Sequence, residues 1–91
     1  MSKETIHFVY ILECSDKTYY IGRTNDVVKR LKAHNGIISG GSRYTSARRP
    51  VFLVYLEKVK DLSEALRREY ALKQLTRAEK AELVRLNNQA A

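Results

Sequence analysis

Residues 9–30 read VYILECSDKTYYIGRTNDVVKR. VYILE closes a run that starts at Ile6, in which branched and aromatic residues dominate and both alternating faces are largely apolar. That pattern predicts a strand over 6–13 covered on both sides, and so central in its sheet. CSDK holds the turn formers Ser15 and Asp16 before TYYIG resumes the strand pattern, so the two runs predict a hairpin. Strand alternation groups Tyr10 with Phe8 and Leu12 and puts Tyr19 on the opposite face from Tyr20, as a structural residue. After Gly22, each of Thr24, Asn25 and Asp26 can cap a helix, Val27, Val28 and Leu31 form its apolar stripe, and Asn35 with Gly36 ends it. About ten helical residues are predicted, with Arg30 and His34 one turn apart on one face.

Residues 36–50, GIISGGSRYTSARRP, are rich in Gly and Ser without a clear period and predict a long, mobile loop. The loop carries Arg43, Tyr44, Arg48 and Arg49; an aromatic among cations can stack on a base while the cations meet phosphates, and the same composition also suits a solvated connector. VFLVYLEKV, residues 51–59, predicts a third strand, apolar on both faces. Asp61 with Glu64 forms a variant capping box at the head of LSEALRREYALKQL, and Thr76 with Glu79 repeats it before RAEKAELVRLN. The order ββαβαα predicts an α+β sandwich of three strands with helices over them.

A chain of 91 residues with 44% apolar and 30% charged content fits one compact domain. It contains no apolar run of about 18 residues, and MSKETIHF lacks the basic region and apolar core of a secretory signal, so a cytoplasmic location is expected. Cys14 is the single cysteine; it excludes an internal disulfide and a multi-thiolate zinc site and reads as inert filler. The net charge of +7 and pI of about 9.8 favour an anionic partner. Arg23, Lys29, Arg30, Lys32, Arg43, Arg48 and Arg49, opposed only by Asp26, place +6 of that charge within residues 23–49. This is a solvated surface or a nucleic-acid footprint; without a long amphipathic helix rich in bulky apolar residues it does not suit a membrane.

One carboxylate is out of pattern. On the helix over 62–75, Leu62, Ala65, Leu66 and Leu72 cluster on one side, and Glu69 falls in the middle of their stripe. Burying a charged carboxylate costs several kcal/mol unless a cation, a metal or hydrogen-bond donors compensate it. Glu69 therefore needs either a basic partner or a hard cation such as Mg2+, which takes few carboxylates and completes its shell with water and phosphate.

In order along the chain stand Phe8-Val9-Tyr10, Tyr20-Ile21-Gly22, RTND, Arg30 eight residues after Gly22, His34-Asn35, RYT and RRP in the loop, and Glu69 within ALRRE. This series resembles the GIY-YIG nucleases, in particular their small stand-alone bacterial members, over roughly residues 7–73. The first triad is degenerate, with Phe8-Val9 in place of Gly-Ile, and Arg23 adds a charge beside the glycine. The resemblance implies a three-stranded antiparallel sheet flanked by helices, in a single domain over 1–91 with a core of about 6–75 and an extra helix over about 77–87. It further implies a metal-dependent endonuclease acting on phosphodiester bonds, with DNA as partner, Mg2+ or Mn2+ as cofactor and DNA repair or recombination as setting. Carried over residue by residue, Tyr10 and Tyr20 match the paired phenols, Arg30 the guanidinium facing phosphate, His34 an accessory group and Glu69 the metal ligand, while Gly22 and Asn35 support the site.

Tyrosine is an unusual base, with an ordinary pKa of about 10. Positive charge from Arg30, Arg23 and a metal would favour the phenolate, with one of Tyr10 and Tyr20 taking the proton of water and the other orienting the nucleophile. His34 is expected at an exposed helix end, donating to phosphate or assisting proton transfer. A non-catalytic nucleic-acid-binding module, or an accessory protein using the basic 23–49 segment, is the competing expectation; it leaves Glu69 without a role, since a carboxylate repels phosphate.

Overall fold

The computed structural model describes residues 6–89. The first five residues of the MSKETIHF stretch and the last two of NNQAA lie outside the described residues. Strand β1 (His7–Glu13) pairs antiparallel with β2 (Tyr19–Thr24) on one side and with β3 (Phe52–Val59) on the other, giving the sheet order β2-β1-β3. The central position predicted for β1 is borne out: Val9, Tyr10, Ile11 and Leu12 are all buried, because both faces of the sheet are covered. On one face Val9, Ile11, Ile21 and Val59 pack with Ala65 and Leu72, and Tyr19 lies against that cluster as a structural residue. On the other, Tyr10, Leu12, Cys14 and Val51 pack with Tyr20, Leu31, Tyr44 and Leu53. Cys14 is free and buried, as its reading as filler requires.

The local capping signals are realised. Asp26 accepts from the Lys29 amide at the head of helix α1 (Val27–His34), eight residues long. Asp61 accepts from the Glu64 amide at the head of α3 (Leu62–Lys73). Thr76 and Glu79 exchange backbone and side-chain bonds as a reciprocal box before the last helix, Arg77–Gln89.

Two expectations are corrected. The segment over 36–50 is not without structure: a single turn, α2 (Arg43–Ser46), forms behind Ser42, whose hydroxyl accepts the Thr45 amide at 3.1 Å. The element order is thus ββααβαα, with α4 the helix Arg77–Gln89. The segment is also pinned. Asn35 donates to the Val51 carbonyl at 3.0 Å and accepts from its amide at 2.7 Å, and a Cβ at Gly41 would strike the Ala33 carbonyl, so the loop backbone rests on the end of α1. The expected third strand forms as β3, at an edge of the sheet, where Phe52 and Leu56 are exposed. On α3, Leu62 and Leu66 are exposed too; only Ala65 and Leu72 of the expected stripe are buried, because α3 touches the sheet along a narrow seam.

Candidate active site

Glu69 projects from α3 between the turns of Ala65 and Leu72, at the border of the core, and its side chain is 18% exposed. Its two oxygens meet Arg23 Nε at 3.3 Å and Lys73 Nζ at 3.1 Å. The acid is therefore ion-paired, but the pair is not sealed in an interior. Glu69 opens onto a cleft of about 210 Å³ whose other walls are Tyr10, Tyr20, Gly22, Arg23 and Arg30. Both cations paired with it are about half exposed.

The hairpin delivers the phenols. Tyr10 and Gly22 are register partners across β1 and β2, and the Tyr10 ring leans over Gly22 where a side chain would otherwise stand. A Cβ at position 22 would meet the Tyr10 hydroxyl and lie 2.6 Å from Cζ. Only glycine leaves that space. Tyr20 comes from the same sheet face; its ring stacks on Tyr44 with centroids 5.9 Å apart and meets His34 edge-on at 5.0 Å.

Arg30 reaches the cleft from α1, one turn before His34, and its Nη1 donates to the Gly40 carbonyl at 2.5 Å. The loop over 36–50 thus fixes the guanidinium by one donor and leaves the others. Lys29, next on the helix, lines a neighbouring groove that shares Arg30.

His34 differs from its expected placement. It is fully buried behind Tyr10, with Nε2 2.9 Å from the Tyr10 hydroxyl and Nδ1 2.7 Å from the Thr45 hydroxyl. Both ring nitrogens are engaged, so neither is left for a phosphate. Burial, reinforced by Arg30 and Arg49, disfavours the imidazolium and lowers the His34 pKa to about 4. Tyr10 moves the opposite way. Burial raises its phenol above the ordinary value, and hydrogen bonding and charge from Arg30 only partly oppose this. Arg30 does not by itself make Tyr10 a resting phenolate.

The basic residues of 23–49 divide. Arg23 and Arg30 are in the cleft, Lys29 is beside it, and Lys32 and Arg43 are exposed outside it. Arg48 is bound to Asp16 at 3.0 Å and covers the Tyr44 ring at 3.9 Å, so Tyr44, stacked on Tyr20, is a packing residue rather than a free platform for a base. Arg49 donates to the His34 carbonyl at 2.8 Å and braces the end of α1. Asn35 does not line the cleft; its two bonds to Val51 tie the end of α1 to the start of β3. Sequence reasoning quoted Thr45 only within RYT and gave it no role, and it missed Gly41 and Lys73. The spacing of four between Glu69 and Lys73 on one helix was a usable signal for the last; the contact of Thr45 with His34 had none.

With Tyr10, Tyr20, Gly22, Arg30 and Glu69 gathered on one cleft, comparison with known proteins bears directly on the site. The chain belongs to the GIY-YIG catalytic domain family, which it matches over residues 6–82. This is a nuclease family whose members act on nucleic acid. The chain is 53% identical over 83 residues to a UPF0213 protein of Syntrophus aciditrophicus, covering 89% of this chain and 92% of that one. It is 50% identical over 78 residues to a UPF0213 protein of Halobacterium salinarum, covering 86% and 99% of the two chains. Among solved structures, the UPF0213 protein BH0048 of Bacillus halodurans is 43% identical, with a TM-score of 0.57 and 89% and 84% of the two chains covered. EF2693 of E. faecalis is 34% identical, with a TM-score of 0.60 and coverage of 94% and 90%. No helix among the described residues is long and apolar enough to cross a membrane.

Proposed function

We propose that the protein is a metal-dependent endonuclease that hydrolyses phosphodiester bonds of DNA, with DNA repair or recombination as its setting. The observation that carries this reading is the convergence of two phenols, a guanidinium and one carboxylate on a single open cleft. Glu69 fits a hard divalent ion such as Mg2+ or Mn2+. No group of three or more His, Cys, Asp or Glu side chains comes together among the described residues, which disfavours a cation needing a full protein cage. Mg2+ takes one or two carboxylates and fills its shell from water and phosphate. Arg23 and Lys73 hold the Glu69 carboxylate through pairs whose cationic ends are about half exposed, each worth about 1 kcal/mol, so they yield to a stronger charge. When bound, the ion supplies positive charge at the phosphate and acidifies water.

The chain's own residues supply the rest. Arg30, fixed by Gly40, offers its remaining donors to the non-bridging oxygens, where negative charge grows in the transition state. Tyr10 is the general base, acting through His34. It takes the proton of the attacking water while its own hydroxyl proton passes 2.9 Å to the neutral Nε2, so no free phenolate is required at rest. Burial holds His34 neutral at rest, so Nε2 can take a hydrogen bond from the Tyr10 hydroxyl; the same burial makes it a weak base that carries the proton only in passing. Tyr20, on the cleft but not hydrogen-bonded to His34, orients the nucleophile. Lys29 and the exposed Lys32 and Arg43 extend positive charge for flanking phosphates.

The test is a cleavage screen over linear, nicked, flapped and junction DNAs with and without Mg2+ or Mn2+, run beside Glu69→Ala and Arg30→Ala. Metal-dependent cutting lost in both variants is expected. Salt-sensitive DNA binding that never yields cleavage defeats the proposal in favour of a non-catalytic binding module.

A further inference from the structure

Thr45 is fully buried in the one-turn helix α2 and does not line the cleft, yet it closes a line of hydrogen bonds that begins there. Tyr10 meets His34 Nε2 at 2.9 Å, and His34 Nδ1 meets Thr45 Oγ1 at 2.7 Å. A neutral imidazole has one donor and one acceptor, so the hydrogen on Thr45 decides the direction of the whole line. Its destination follows from the helical turn. Thr45 Oγ1 is 3.3 Å from the Ser42 carbonyl three residues back, the usual acceptor for a threonine hydroxyl in a helix, and 2.9 Å from the Ser42 hydroxyl. With its hydrogen turned toward Ser42, Thr45 presents lone pairs to His34. Nδ1 then carries the hydrogen, Nε2 is bare, and Tyr10 is the donor.

We propose that Thr45 is a positioning residue of the reaction centre: its hydroxyl fixes His34 as the Nδ1–H tautomer and so keeps the Tyr10 oxygen's lone pairs directed at the cleft. The catalytic half of this statement rests on the nuclease reading above. In the opposite tautomer, Nε2–H would donate to the Tyr10 oxygen, occupying a lone pair needed for the proton of water and leaving the phenol's own proton no acceptor. Burial of His34 closes off exchange with solvent as a way around the error. The groups that face the imidazole are Tyr10 from β1, Tyr20 from β2, Arg30 from its own helix and Arg49 from the loop; none of them offers Nδ1 the contact that Thr45 does. The loop over 36–50 thereby has a function beyond carrying cations. Ser42 caps the turn, and Gly41, pressed on the end of α1, brings it against His34.

The test uses the full chain labelled with 15N. Long-range proton–nitrogen correlation reads the tautomer of the His34 ring, distinguished from His7 by its absence in His34→Gln. The wild type is expected to show a protonated Nδ1 and a bare Nε2. Thr45→Val keeps the shape and removes the hydroxyl. It is expected to shift His34 toward the Nε2–H form and to lower kcat for DNA cleavage about 100-fold with little change in KM. Thr45→Ser, which keeps the hydroxyl, restores both readings. An Nε2–H tautomer in the wild type overturns the proposal, as does a folded Thr45→Val with unchanged tautomer and kcat. A folded Thr45→Ser as impaired as Thr45→Val assigns the effect to the methyl group and overturns it equally. A wild type with the expected tautomer that cuts no nucleic acid defeats the nuclease reading, and with it the catalytic role, while leaving the direction of the hydrogen bonds intact.

Discussion

Tyr10 occupies the space above Gly22, its partner in the β1–β2 register, so that the phenol and the strand backbone are packed with no room for a methyl group. The glycine is needed here for closeness rather than for a turn. Gly22→Ala must displace Tyr10, strain the strand, or both; overpacking of this kind costs about 1–3 kcal/mol. We expect Gly22→Ala to lower urea-unfolding stability by that order and to abolish cleavage, because the displaced hydroxyl no longer meets His34. Full activity in this variant would show that Tyr10 need not keep its place.

Glu69→Gln keeps the shape of the side chain and removes its charge. The partners Arg23 and Lys73 are about half exposed, so the two ion pairs contribute little to stability, and the variant is expected to unfold within about 2 kcal/mol of the parent. Cleavage and Mn2+ binding by calorimetry should both disappear. Retained Mn2+ affinity would remove Glu69 from the metal site.

The contrast between Glu69 and His34 explains what the sequence could disclose. An acid inside an apolar stripe is a local anomaly, visible from a spacing of three and four residues, as are the caps at Asp26, Asp61 and Thr76. The central strand was equally legible, because both of its faces are apolar. His34 carries no such mark. Its burial depends on Thr45, eleven residues away on a turn hidden in a Gly- and Ser-rich stretch, and on Tyr10, twenty-four residues away on β1. The pairing of Arg23 with Glu69 is likewise a contact between β2 and α3 that no local period encodes. Leu62 and Leu66 were misplaced for the converse reason: periodicity marks an apolar face, but not whether a three-stranded sheet is wide enough to cover it.

The two tyrosines should separate in a simple comparison. Tyr10→Phe leaves the buried Nε2 of His34 without a partner, which costs about 1–3 kcal/mol, and also removes the proposed base. Tyr20→Phe removes a hydroxyl from the cleft wall and preserves the stacking on Tyr44. We expect both to lose cleavage and only Tyr10→Phe to lose stability, as read by thermal unfolding. Equal destabilisation by the two substitutions would contradict the hydrogen-bond assignment.

Stability should fall on acidification because of His34. Its folded pKa of about 4 lies below the ordinary 6.5, so between those values the unfolded chain binds a proton that the folded chain refuses. The contribution is complete above pH about 6.5 and is lost as pH falls through about 4, with a size on the order of 3 kcal/mol. Urea unfolding from pH 7 to pH 4 is expected to show a shallower decline in His34→Gln than in the parent. Parallel curves would mean that His34 titrates normally in the folded protein.

Asn35 joins the end of α1 to the start of β3 by two bonds to Val51, a residue only 2% exposed, so its amide and carbonyl are otherwise enclosed. Asn35→Ala leaves both backbone groups without partners and should cost about 2 kcal/mol or more. Asn35→Asp keeps an acceptor for the amide but turns a second carboxylate oxygen toward the Val51 carbonyl, so it should not rescue. Because this clasp closes the ends of the segment that carries Gly40 and Thr45, its loss should also free Arg30 and His34 from their partners. Amide hydrogen exchange should therefore accelerate across Arg43–Ser46 in Asn35→Ala while β1 remains protected. Uniform acceleration over both elements would mean that the clasp supports the whole domain rather than the loop behind the active cleft.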